Sequence, residues 1–219
     1  MAQIFKRSAN ALVIASILVV LTVAVGTLLL VMLKIAKSPF MTKQGVTINQ
    51  PVPFSHDHHT ATLGIHCGYC HTSVEKSATA GIPPVATCMN CHKLIWNDSP
   101  MLEPIRAAYR DKKPVQWQRV NDLPDFVYFN HSIHVAKGIG CNTCHGKINE
   151  MPLVYQAQTL QMNWCLDCHR NPEKYVRPKE EVYNMDWEVP AGVSQAELGA
   201  QLVKEYDIHP NDTCSTCHR

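Results

Sequence analysis

The chain opens on its longest apolar stretch. Lys6 and Arg7 precede an uncharged run from Ser8 to Leu33, and the 23 positions from Ala11 to Leu33 are almost all Ala, Val, Leu, Ile, Gly, Thr, Ser or Met. About 20 such residues, rising 1.5 Å each, cross a bilayer as a helix. A cleaved signal peptide has a shorter apolar region of about 7–15 residues and a small-residue cleavage site. This run is longer, and no clear Ala-x-Ala follows it. The pattern predicts a retained signal anchor over residues 1–37, ahead of a second domain over 38–219. Lys6 and Arg7 lie on one side of the run and Lys34, Lys37 and Lys43 on the other, so positive charge alone does not orient it.

Beyond the anchor the periodic signal is weak. Ser194-Gln-Ala-Glu197 has the form of a capping box. It predicts a helix to about Tyr206, with Leu198, Leu202 and Val203 on one side. No convincing strand alternation is present. The connectors Lys93–Tyr128 and Asn171–Ile208 are rich in Pro and hold Trp96, Trp117 and Trp187. The expected fold class is mainly α with much irregular structure.

Composition then narrows the chemistry. The 219 residues carry a formal charge of +2 and 17% charged positions, below the usual ~25%. A nucleic-acid binder working through a basic surface is excluded on that balance. Gly and Pro are too few for a disordered or collagen-like chain. The ten Cys and twelve His are the abnormal counts.

All ten Cys fall in five copies of Cys-x-x-Cys-His: Cys67–Cys70–His71, Cys88–Cys91–His92, Cys141–Cys144–His145, Cys165–Cys168–His169 and Cys214–Cys217–His218. This is the c-type haem attachment signature. Two thiols at that spacing form thioethers with the two vinyl groups, and the adjacent imidazole becomes the proximal iron ligand. Structural zinc would use such knuckles in pairs, leaving one over, and would not need a His after each. A disulfide framework leaves the His unexplained, and a thioredoxin-like motif would occur once. Five covalently bound c-type haems are therefore expected, with fewer than 40 residues to serve each; the domain would be built around stacked haems. Their propionates change the charge of the mature protein. Attachment of this kind takes place on the periplasmic face. Everything after Leu33 is therefore expected outside the cytoplasmic (inner) membrane, with the first nine or so residues inside.

Seven further His remain. Phe54-Ser-His56-Asp-His58-His59 precedes Cys67, and Phe129-Asn-His131-Ser-Ile-His134 precedes Cys141. Both read Phe-[Ser/Asn]-His-x-x-His. Residues three apart share one side of a helical turn, from which two imidazoles can reach two irons. The spacing repeats, since His56 to His131 is 75 positions, Cys67 to Cys141 is 74 and Cys88 to Cys165 is 77. Two similar two-haem modules follow, at about 54–96 and 129–172, with a fifth haem at 214–218. His56, His59, His131 and His134 are the expected distal ligands of four bis-His haems; which serves which is not readable. The fifth distal ligand is open between His209 and a Met, Met151 before Met101 or Met162, since Met/His ligation occurs. Met is more often core filler. His58 and His66 fit surface or propionate-contacting roles. With both axial positions filled, no iron offers substrate a vacant site, and no catalytic residue is expected.

These features resemble known families. The two Phe-[Ser/Asn]-His-x-x-His segments resemble those of small class III multihaem cytochromes. The anchor, the five motifs, Phe129–His134 leading to Cys141, and Met162-Asn-Trp-Cys165-Leu-Asp-Cys168-His169-Arg170 are similar to the pentahaem, membrane-anchored cytochrome c (ActA) subunits of alternative complex III. That resemblance covers nearly the whole chain and implies an electron-transfer relay in a quinol-oxidising respiratory or photosynthetic complex. Implied partners are an iron–sulfur, molybdopterin-oxidoreductase-like subunit, integral membrane quinol-binding subunits, a monohaem cytochrome c subunit and a periplasmic electron acceptor. The chain would be part of an oxidoreductase rather than an enzyme on its own. The alternative is a stand-alone quinol dehydrogenase cytochrome of the NapC/NrfH type, which the anchor and motif also resemble, although those usually carry four haems.

Overall fold

The computed structural model describes residues 6–218. It divides into two compact units, 1–44 and 45–219. The first holds α1 (Arg7–Ala36) and the short α2 (Pro39–Thr42). Residues Ser8–Ala36 of α1 are long and apolar enough to cross a membrane, and their Leu, Val and Ile side chains are exposed all along it. A water-soluble helix would bury one apolar stripe; this one has apolar residues on every face and none buried.

The second unit is mainly helical and irregular. Its helices are short: α3 (Cys67–Cys70), α4 (Val85–His92), α5 (Glu103–Arg110), α6 (His131–Ala136), α7 (Cys141–His145), α8 (Met162–Arg170), α9 (Gln195–Glu205) and α10 (Cys214–Cys217). A π-type turn spans Asp57–Thr62. Among the described residues there are isolated β-bridges but no strand. Each Cys-x-x-Cys-His motif forms or ends one of these helices, so one helical turn presents both thiols and the imidazole together.

The conventional core is small. Val52, Met89, Leu102 and Ile105 form one buried cluster, with Cys88 and Trp117 packed against it. Val176, Val182 and Met185 are buried beneath the third motif, where Cys141 N–H donates to Val182 O and Asn142 Nδ2 to Met185 O. So thin a core fits a chain whose remaining apolar contacts are made to something other than protein.

The two modules dock reciprocally. In the second, the amides of His131 and Ser132 donate to Ala78 O and Ser77 O, in the loop after the first motif. In the first, the amides of His56 and Asp57 donate to Met151 O, in the loop after the third motif. Thr60 Oγ1 adds a bond to Asn149 O at 3.3 Å. Each module's distal-His segment is thus held by the other's post-motif loop.

The predicted helix near the C-terminus is α9, and both capping-box bonds form between Ser194 and Glu197. It packs on the 3-10 turn Pro172–Lys174, and Gln195 Nε2 donates to Glu173 O and Val176 O. The contact needs a glycine. A Cβ at Gly199 would fall 1.8 Å from the Glu173 carbonyl oxygen, and backbone cannot yield as a side-chain tip can. Gly199→Ala is expected to destabilise the unit by about 1–3 kcal/mol, as overpacking does. Thermal denaturation reads this, and an unchanged midpoint would show that α9 does not dock there.

A candidate multihaem centre

The two Phe-[Ser/Asn]-His-x-x-His segments adopt one local geometry twice. Phe54 stacks on His59 (centroids 4.4 Å, 23°) and meets His56 edge-on (4.9 Å, 85°). Phe129 does the same to His134 (4.5 Å, 29°) and His131 (4.8 Å, 89°). The residue after each Phe completes the turn. Ser55 Oγ accepts from His58 N–H, and Asn130 Oδ1 from Ser132 N–H. Their carbonyls accept from His59 Nδ1 at 2.8 Å and His134 Nδ1 at 2.7 Å. The motif thus carries its own orienting groups, with Phe as a buttress between two imidazoles. The sequence pattern held the Phe, but only the geometry reveals its role.

Three of the four distal candidates face the His of a motif in their own module. His59 lies 6.2 Å from His92, His131 6.4 Å from His145 and His134 6.1 Å from His169, centroid to centroid. The repeat leaves His56 to His71. Burial is the main force pushing the His56 imidazole down to about 4, and His71 is the neighbour that adds most. The rule is first to first and second to second. The rings of the third site are near parallel (5°), whereas the second and fourth sites have 64° and 60° between planes.

A separation near 6 Å leaves room for one metal ion between the rings. One metal ion between two trans imidazoles, at bonds of about 2 Å with about 1 Å more to each ring centre, separates the centroids by about 6 Å. Direct imidazole stacking would bring them closer. Two nitrogens leave the equatorial positions of such an ion to another donor set. Among the described residues no three His, Cys, Asp or Glu close on one point to supply it, as a zinc site requires. A porphyrin supplies four coplanar nitrogens and covers the apolar faces around it, so these residues fit haem.

The far ring nitrogens are consistent with this. A carbonyl only accepts, so a ring nitrogen bonded to one carries the proton and leaves Nε2 with a free lone pair. His71 Nδ1 donates to Gly81 O (2.7 Å), His92 to Ile95 O (3.1 Å), His131 to Ala78 O (2.8 Å), His169 to Asn211 O (3.0 Å) and His218 to Phe126 O (3.3 Å). With His59 and His134, seven imidazoles are held in the ligating tautomer, the usual outer-shell arrangement of metal-bound His. His56 and His145 Nδ1 are buried without such a partner. Burial lowers His56, His145, His59 and His134 alike, and a neutral ring is what metal ligation needs.

The cysteines fit the same reading. None of the ten is in a disulfide. Burial raises the Cys67, Cys70, Cys88 and Cys165 thiols, and lifts Cys141 to about 11, Cys144 to about 12 and Cys168 to about 11. A redox-active Cys-x-x-Cys needs the opposite shift.

The sulfurs also place the sites beside one another. Cys88 of the second motif adds to the rise at Cys70 of the first. Cys67 of the first acts on Cys141 of the third. Cys168 and Cys165 of the fourth act on Cys144 of the third, and Cys217 of the fifth on Cys165. Cysteines of different motifs therefore lie close enough to act on one another.

The remaining candidates lie elsewhere. His218 meets the Phe126 ring at 5.8 Å, and α10 is fixed by Tyr128 N–H donating to Cys217 O. His209 is highly exposed and turns Nε2 to Asp207 Oδ1 at 2.7 Å. Met151 is 3% exposed at the junction of the modules, its carbonyl holding the His56 turn. His58 stacks on Trp96 at 6.1 Å. His66 caps α3 by accepting from Gly68 N–H and packs against Tyr183.

Comparison with known proteins agrees with this geometry. The family model for cytochrome c7 and related cytochrome c matches residues 127–219, the second module and the fifth motif. The multiheme cytochrome c subunit of menaquinone reductase from Nitratidesulfovibrio vulgaris (strain Hildenborough) is 30% identical over 143 residues, covering 56% of this chain and 68% of that protein. The motifs, the paired imidazoles and these matches lead to one conclusion: the chain belongs to the multihaem cytochrome c family and binds c-type haem covalently.

Proposed function

We propose that the chain is a pentahaem electron-transfer relay, anchored by α1 in the inner membrane with residues 45–219 on the periplasmic side. The observation that carries this is the set of three imidazole pairs 6.1–6.4 Å apart, with His56 and His71 as the fourth. Bound c-type haems supply one-electron redox chemistry at iron. Four pairs of neutral imidazoles would each hold one group, so that its coordination does not change with charge and little reorganisation accompanies transfer. Cys67–Cys70, Cys88–Cys91, Cys141–Cys144, Cys165–Cys168 and Cys214–Cys217 would attach the five groups, with His218 the proximal ligand of the fifth. The contiguity of the sulfurs supports a single file in the order second, first, third, fourth, fifth.

The relative is named as a subunit of menaquinone reductase, which supports a place for this chain in a quinol-linked membrane complex. Alternative complex III is the assembly we favour. There an iron–sulfur, molybdopterin-oxidoreductase-like subunit, integral membrane quinol-binding subunits and a monohaem cytochrome c would flank the relay, which delivers to a periplasmic acceptor. The second reading, a NapC/NrfH-type quinol dehydrogenase, rests on the long apolar helix that precedes the haem unit in the chain. Mixing with a reduced quinol separates the two. The relay reading predicts slow haem reduction in the isolated chain and fast, inhibitor-sensitive reduction in the intact native-membrane assembly. Fast inhibitor-sensitive reduction of the isolated chain would make it the quinol dehydrogenase itself.

A further inference from the structure

Arg177 is a buried charged residue beside the third motif that the ligand sets do not use. It is 6% exposed. Its Nη2 donates to Asn142 Oδ1 at 2.7 Å and its Nη1 to Asn184 O at 3.1 Å. Its guanidinium carbon lies 4.8 Å over the Trp187 ring. Nε is buried with no partner. Every acceptor is neutral, and among the described residues no carboxylate lies within ion-pair distance of it; Glu181 acts on it only from farther away. A buried cation with no protein carboxylate beside it is costly, and its field is poorly screened.

The location is specific. Asn142 lies between the two cysteines of the third motif, and a Cβ at Gly140 would fall 2.3 Å from the guanidinium carbon. The residue before Cys141 must therefore be glycine for Arg177 to lie there. Arg177 N–H also donates to Gly138 O, and the Ile139–Val176 bridge holds the two segments together. The charge is thereby fixed beside the third attachment loop. Thioethers form at the vinyl edge of a porphyrin and the propionates leave from the opposite edge. A group attached at Cys141 and Cys144 would therefore present its vinyl edge, rather than its propionate edge, to this loop.

We propose that Arg177 is a potential-setting residue for the third site, its buried charge favouring the reduced iron there. The inference rests on the multihaem reading. Iron(III) gains one electron and becomes iron(II), losing one positive charge, so a nearby fixed cation favours the product. The third site occupies the middle of the proposed file, and Arg177 makes it a resting place for the electron between the two modules.

The test is a spectroelectrochemical titration of the full-length protein with redox mediators, after the covalent haems have been counted. Arg177→Met removes the charge at similar length. Arg177→Lys keeps the charge and loses the fork of hydrogen bonds. Asn142→Asp keeps Arg177 and sets a carboxylate against it. Arg177→Met and Asn142→Asp are expected to move one transition to lower potential, while Arg177→Lys leaves it near the parent value. That transition is identified as the one that His131→Met displaces upward, since thioether ligation raises potential. An unmoved titration in Arg177→Met with haem content intact overturns the proposal, as does an equal shift in Arg177→Lys. If Arg177→Met does not fold, Asn142→Asp decides by the same shift or its absence. A parent chain without covalent haem would instead refute the multihaem reading beneath it.

Discussion

Replacing His131 by Ala is expected to break the relay at its middle. His131 stands 6.4 Å from His145 with the rings parallel, and its Nδ1 is tied to Ala78 O across the module junction. Cys141 and Cys144 would still attach their haem, so the count is unchanged. One of the five would lose its sixth ligand and show a high-spin ferric signature. Loss of an outer-shell partner costs a metal site about 10–100-fold, and loss of the ligand itself is expected at or beyond the upper end. In a single file no parallel route bypasses the third site, so electron throughput of the assembled complex should fall roughly 100-fold. The same substitution at His209, exposed and paired with Asp207, is expected to leave the spin state of the other four sites untouched. Absorption and electron paramagnetic resonance spectra read the first effect, and quinol-driven reduction of the acceptor reads the second. Undiminished throughput in His131→Ala would show that the file is not single.

The second large effect concerns the anchor. Residues 1–44 and 45–219 form separate compact units, and α1 exposes its Leu, Val and Ile side chains along its whole length. Each such residue favours the bilayer by about 0.3–0.6 kcal/mol at mid-depth, which over the run sums to several kcal/mol. Exchanging residues 1–44 for a cleavable secretion signal should move nearly all of the protein from the detergent-requiring fraction to the soluble periplasmic one. Its haem spectrum should stay the same, because no ligand pair involves the first unit. A truncated protein that still requires detergent would locate the membrane contact in the haem unit.

The sequence exposed more of the site than of the fold, for physical reasons. Haem attachment is local: two thiols and an imidazole in one helical turn are contiguous in the chain, and all five motifs are readable. The two Phe-x-His-x-x-His turns are legible too, because each packs its Phe against its own two His. Pairing was not legible. It depends on where the His56 and His131 turns sit, and each is held by a carbonyl of the other module, Met151 O and Ala78 O. Such contacts span more than fifty residues and are made by backbone, which carries no sequence signature. Arg177 left no signal either. Its meaning lies in Gly140 and Asn142 being placed around it, whereas in the chain it is one basic residue among twenty. The capping box of α9 was readable because Ser194 and Glu197 satisfy each other within one turn. The need for Gly199 opposite Glu173 was not, being set by a helix meeting a distant turn.

The most direct test of the central claim is the number of haems covalently held by one chain. The purified protein should be denatured, its intact mass measured, and its haem quantified as the pyridine complex. The account predicts a mass increase equal to five haems, five alkaline haemochromes per chain, and no cysteine left to react with a thiol reagent. Fewer than five haems, reactive thiols at any Cys-x-x-Cys-His motif, or zinc in place of iron would contradict it.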